Sequence, residues 1–125
     1  VKYLLDINAL LAAIWRDHAS HPVADRWVMG KSLATCALSE LGFLRISTHP
    51  RALGAGMLDA RVLLRDFLAK HQVEFVPADL PVLVSKAGKS DDLTDFYLAD
   101  LAANWQMRFA TLDSKIRHPA VELIN

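Results

Sequence analysis

An alternation constrains this chain more than anything else in it: short apolar runs, each closed by an acid, separated by stretches of helical spacing. Residues 1–5 run straight into Asp6, residues 33–36 are followed by Glu40, and residues 109–112 run into Asp113. Apolar runs of four or five residues suit strands buried on both faces, the pattern of parallel sheets. Residues 73–76 and 121–124 read as two further strands.

Helical stretches fill the gaps. Asn8 reads as the cap of a helix over residues 9–15. Pro22 suits the first turn of a second helix, whose Val23, Ala24, Trp27 and Val28 share a face and which Gly30 closes. Residues 38–46 form a third, with Glu40 in its first turn. Residues 57–71 give the clearest helical spacing, with Leu63, Leu64, Phe67, Leu68 and His71 recurring on one side. A short apolar helix is expected over 80–84, a polar loop over 85–92, and a helix from a Thr94 cap to about Trp105. Strands alternating with helices imply an α/β domain: a three-layer α/β/α sandwich around a central, mainly parallel sheet of four or five strands. Nothing reads as a linker or repeat, so residues 1–125 form one domain.

Composition excludes several classes. With 53% apolar and 22% charged residues the chain is a globule, not a disordered segment. No apolar run approaches the roughly 18 residues of a membrane helix. No charged-then-apolar leader is visible, and the single cysteine, Cys36, forms no internal disulfide, so a soluble cytoplasmic protein is expected. The formal net charge is zero, which argues against nucleic-acid binding by bulk electrostatics alone. An acidic centre with a basic rim is still compatible with that balance.

Asp6, Glu40 and Asp113 fall at or just after the carboxyl ends of strands, and Asp95 opens the helix leading into the 109–112 strand. In open α/β sheets ligands bind beyond those strand ends, so all four acids are expected at one edge. Crowded carboxylates repel: two unit charges at 4 Å cost about 4 kcal/mol at an effective dielectric near 20. Either protons or a cation must relieve them. Hard oxygen ligands without His or Cys favour Mg2+ or Mn2+ over zinc, and such an ion supports phosphodiester hydrolysis. Singly, each acid also has a structural use, ending a strand, opposing a helix dipole or starting a turn.

The same residues carry a family resemblance. Leu4-Leu5-Asp6-Ile7-Asn8-Ala9-Leu10-Leu11 resembles the D-x-N-x-L-L opening of PIN domains. The stretch from Thr35 to Arg45, containing Glu40, is similar to the second motif of VapC-type toxins in that family. Thr94-Asp95-Phe96-Tyr97-Leu98-Ala99-Asp100-Leu101-Ala102 resembles the third, and Ala110-Thr111-Leu112-Asp113 the fourth, T-x-D. The four occur in the family's order over nearly the whole chain. The resemblance implies a PIN-like fold and a magnesium- or manganese-dependent ribonuclease, the toxin of a toxin–antitoxin pair. It puts metal binding on Asp6, Glu40, Asp95 and Asp113, and hydrogen-bond ordering of the site on Thr111 and Asn8. A homodimer and a cognate antitoxin follow from it as well.

Arg45, Lys86, Lys89, Lys115 and Arg117 lie near the acids in sequence and are candidates for substrate phosphates, although solvated surface charge explains any one of them. His18 and His21 lack further ligands for zinc. Trp15, Trp27, Trp105, Phe67 and Phe75 read as core. Three competing functions stand beside the ribonuclease: a PIN-like module that binds RNA or protein without cutting; a phosphoacceptor domain using Asp79, which lacks the paired acid and late-strand lysine such a site needs; and a nuclease acting on DNA flaps, disfavoured by the short chain with no inserted arch.

Overall fold

The computed structural model describes all residues, Val1 to Asn125. Five strands form one sheet in the order β3-β2-β1-β4-β5, with every neighbouring pair parallel. They are β1 (Lys2–Leu5), β2 (Ser32–Thr35), β3 (Glu74–Phe75), β4 (Arg108–Thr111) and β5 (Val121–Leu123). The helices are α1 (Ile7–Ile14), α2 (His21–Val28), α3 (Ala37–Thr48), α4 (Met57–Lys70) and α5 (Leu93–Asn104).

The strand alternation of period two divides the apolar residues between two layers. Leu5, Leu33 and Ala110 face a core shared with α1 to α4, where Leu10, Phe43, Leu64 and Phe67 are buried. Leu4, Ala34 and Phe109 face the opposite way and pack with Leu98, Leu101 and Ala102 of α5. Helices therefore cover both faces, as the apolar strands require. The chain builds outward from β1 through β2 to β3, then returns to lay β4 and β5 on the other side of β1. The strand order reverses between β1 and β4, and a crevice opens at such a reversal.

Local details differ from the sequence expectation. The cap of α1 is Asp6, not Asn8, because the acid's side chain accepts the Ile7 N–H. Thr94 lies inside α5, which Asp92 precedes without a side-chain cap bond. The third strand shrinks to Glu74–Phe75: it pairs with β2 alone as the sheet's edge, and Pro77 follows closely. The apolar stretch over 80–84 yields only a single 3-10 turn, Val82–Val84, and a second such turn, Ser90–Asp92, interrupts the expected loop. Phe75 and Trp105 are exposed, at 57% and 39%, instead of core. Trp15 does pack inward, stacked on Phe43 with its Nε1–H donated to Ser47. No helix is long and apolar enough to cross a membrane.

Candidate active site

The site is built outward from the β1–β4 reversal. Asp6 leaves β1 at its carboxyl end, and its backbone N–H still bonds to the Ala110 carbonyl, so the sheet holds its Cα. One carboxylate oxygen accepts the Ile7 N–H at 2.7 Å. The other accepts the Thr111 hydroxyl, also at 2.7 Å, from 105 residues away in sequence. Thr111 is fully buried, and its Oγ1 in turn accepts the Asp113 N–H at 3.1 Å. One hydroxyl thus sets the Asp6 carboxylate and the turn that carries Asp113. Burial pushes the Asp6 pKa upward; the Thr111 and Ile7 hydrogen bonds hold it down, and the charge of Asp113 adds to the rise.

Asp95 lies half-buried in the first turn of α5, across the reversal. Its pKa is raised from 3.8 to about 6, first by burial, then by the charges of Asp6, Asp113 and Asp92. The structure therefore brings Asp6, Asp95 and Asp113 into one electrostatic group, and adds Asp92. Glu40 is half-buried in the first turn of α3, and burial alone raises its pKa. It stands at the same sheet edge, outside the charge coupling of the other three. Its helix is anchored by Ser39, fully buried, whose hydroxyl donates to the Leu5 carbonyl at 2.8 Å.

The remaining candidates separate cleanly. Asn8 is exposed on α1 and forms no side-chain hydrogen bond, so nothing in its contacts orders the acids. Arg45, Lys86, Lys89, Lys115 and Arg117 are all exposed. Lys86 and Arg117 line a common cleft; Lys115 meets the acids only through its backbone N–H, donated to Asp113 Oδ1 at 2.9 Å. Cys36 is buried, as expected of a small apolar residue. His18 and His21 are engaged locally, with the Ser20 N–H and the Ala12 carbonyl. Sequence reasoning missed Ser39 and Asp92. A serine directly before a first-turn acid, and a second acid one turn before Asp95, were the available signals.

The donor set is entirely hard oxygen, which fits Mg2+ or Mn2+ and not zinc. No three His, Cys, Asp or Glu side chains close tightly enough to grip an ion among themselves. Magnesium keeps several of its waters and takes one or two carboxylates directly, so a loose set of facing acids suits a hydrated ion. A cation here would relieve the repulsion that lifts Asp95.

No family model matches the sequence. The chain is 35% identical to ribonuclease VapC38 of Mycobacterium tuberculosis over 126 residues, covering 90% of this chain and 86% of that protein. It is 32% identical to ribonuclease VapC39 and 33% to ribonuclease VapC44 of the same organism, each with 92% of the relative covered and 94% and 97% of this chain. Its fold is similar to that in a crystal structure of VapBC2 from Rickettsia felis bound to a DNA fragment from the promoter, with a TM-score of 0.67, 14% identity and full coverage of both chains. With such identity over nearly its whole length, and with acids at each of the four motif positions, this chain belongs to the VapC ribonuclease family.

Proposed function

We propose that this chain is a magnesium- or manganese-dependent endoribonuclease, the toxin of a type II toxin–antitoxin pair, with Asp6, Glu40, Asp95 and Asp113 as its catalytic and metal-binding acids. Membership of the VapC ribonuclease family supports RNA as the substrate. The observation that carries the catalytic reading is Asp95, raised to about 6 by burial and by three neighbouring carboxylates at the sheet's strand-order reversal. A fold gains nothing from holding like charges together unless something of opposite sign visits them.

A hydrated divalent ion supplies a water of lowered pKa and neutralises charge developing on a phosphodiester. The chain's own work is to hold the oxygens that face it. Thr111 fixes one Asp6 oxygen and the Ile7 N–H fixes the other, and both bonds favour the carboxylate against the burial that raises its pKa. Asp95 and Asp113 present carboxylates from the opposite side of the reversal, and Glu40 adds one from α3. Exposed Arg45, Lys86, Lys89, Lys115 and Arg117 form the basic surroundings a phosphate backbone needs. A homodimer and an antitoxin that covers the acids belong to the same reading; the VapBC2 complex of similar fold supports the antitoxin partner.

The test is incubation of purified protein with cellular RNA, with and without magnesium, beside Asp95→Asn. Cleavage that needs the metal and disappears in the variant is expected. Cleavage indifferent to EDTA and to the substitution would sink the reading, and RNA binding without cleavage would favour a non-catalytic module.

A further inference from the structure

The largest cleft of the molecule, about 710 Å³, opens beside the acids but is lined by none of the four. One wall is a single face of α5, Phe96, Asp100 and Ala103, at helical spacing. The opposite wall is residues 117–120, and Lys86 reaches it from the loop before α5. Phe96 directly follows Asp95, so one end of the cleft borders the acids; from there it runs along α5 to Ala103 and to Met107, just before β4.

The walls are held together without using the cleft's cations. His118 Nδ1 accepts the Ala120 N–H at 3.0 Å, which leaves the proton on Nε2 to be donated to Asp100 Oδ1 at 2.7 Å. Phe96 meets the His118 ring edge-on, with centroids 5.8 Å apart. Asp100 is thereby occupied, whereas Lys86 and Arg117 form no ion pair or side-chain hydrogen bond. An aromatic wall, two free cations and a volume in the range of small-ligand sites coincide.

We propose that this cleft seats one nucleotide of the RNA strand flanking the cut, its base against Phe96 and its phosphate on Lys86 and Arg117. The inference rests on the ribonuclease reading and adds a subsite to it. Bases stack on aromatic side chains, and Arg and Lys bind phosphate oxygens. Of the five basic candidates, these two alone share a concave surface.

Amide NMR of the full chain in EDTA, titrated in turn with 5′-AMP, 5′-GMP, 5′-CMP, 5′-UMP and inorganic phosphate, tests it. At least one mononucleotide is expected to shift Phe96, Ala103 and residues 117–120 saturably. Ala103→Trp, which fills the cleft from an exposed helix position, and Arg117→Gln should each weaken that binding by about tenfold. The same spectra report whether each variant keeps its fold. Shifts reproduced by phosphate alone, or nucleotide affinity unchanged in Ala103→Trp, would overturn the proposal. So would a polyglutamate peptide that moves these amides when no nucleotide does, assigning the cleft to a protein partner. Because the titration needs no catalysis, RNA cleavage by a protein whose cleft takes no nucleotide removes the subsite and spares the ribonuclease. Nucleotide binding without metal-dependent cleavage does the reverse.

Discussion

Two kinds of acid meet at the carboxyl edge of this sheet. Asp6 belongs to the core: it is 4% exposed, its backbone is paired to β4, and each carboxylate oxygen has a donor. Asp95 and Asp113 belong to the surface, one half-buried on a helix turn and the other exposed after a strand. Burial raises the pKa of both acids, but two hydrogen bonds counter the rise at Asp6, while Asp95 faces three carboxylates with no hydrogen bond to its own. Position is fixed on the inner side by hydrogen bonds, whereas on the outer side nothing but solvent or a cation offsets the repulsion. A site divided in this way has one rigid reference point and one carboxylate that gains most from a cation.

The strongest way to break this comparison is to remove one acid from each side. Asp6→Ala and Asp95→Asn are both expected to lower RNA cleavage by about three orders of magnitude, the equivalent of several kcal/mol of charge stabilisation. Folding stability should separate them. Asp6→Ala relieves the burial of a charge, since the Asp6 pKa is raised too, but it leaves the Thr111 hydroxyl and the Ile7 N–H without an acceptor in a buried place, at a cost of about 1–3 kcal/mol that is expected to dominate. Asp95→Asn works in the opposite direction. The folded pKa of Asp95, about 6, lies above 3.8, so the native state binds the proton more tightly than the unfolded chain. Stability from this group is then present at low pH and lost as pH rises through about 6. Removing the charge recovers part of it at pH 7. Solvent screening of a half-exposed group reduces this to about 1 kcal/mol, or about 4 °C in Tm. Thermal melts at pH 7 check the contrast, and equal shifts for the two variants would erase it.

Acidity gives the next effect. Below about pH 6 Asp95 takes up a proton and stops repelling its neighbours, and it also stops attracting a cation. Cleavage rate and Mn2+ affinity should fall together, by about tenfold for each pH unit below that point. Calorimetric titration at pH 7 and pH 5 checks the affinity. An Mn2+ affinity that holds constant to pH 5 would mean that Asp95 is not a ligand.

The acids at the strand ends were far easier to read from the sequence than the hydrogen bonds and packing around them. Strands buried on both faces must be apolar throughout, so residues 1–5, 33–36 and 109–112 announced themselves, and the acids after them came with the strand ends. The misread details all depend on partners distant in sequence or on competition between neighbours. Asn and Asp cap helices about equally well, and Asp6 takes the cap because it sits at the strand end with the right extended backbone. Phe75 and Trp105 have core-like side chains, but one lies on a two-residue edge strand and the other just past the end of α5. The His118–Asp100 bond joins a loop to a helix and follows no local pattern at all. Thr111 was nominated by its family motif; that its hydroxyl serves Asp6 and Asp113 together needed coordinates.

Thr111→Val sharpens the comparison from the inner side. It keeps the volume and removes the hydroxyl, so Asp6 loses one donor and the Asp113 N–H loses its acceptor. Loss of a group that orients a metal-binding carboxylate lowers activity by about 10- to 100-fold, and Thr111→Ser should restore most of it. Glu40→Gln is expected to do least. No neighbouring carboxylate contributes to its raised pKa, so neutralising it relieves nothing at Asp95. The amide keeps the shape of the side chain, and Ser39 still ties α3 to the end of β1. A loss of no more than about tenfold, close to a single unit of pKa-equivalent energy, is expected, with the pH midpoint near 6 unmoved. A loss as deep as that of Asp95→Asn, or a shifted midpoint, would put Glu40 inside the coupled group and dissolve the division between the two sides.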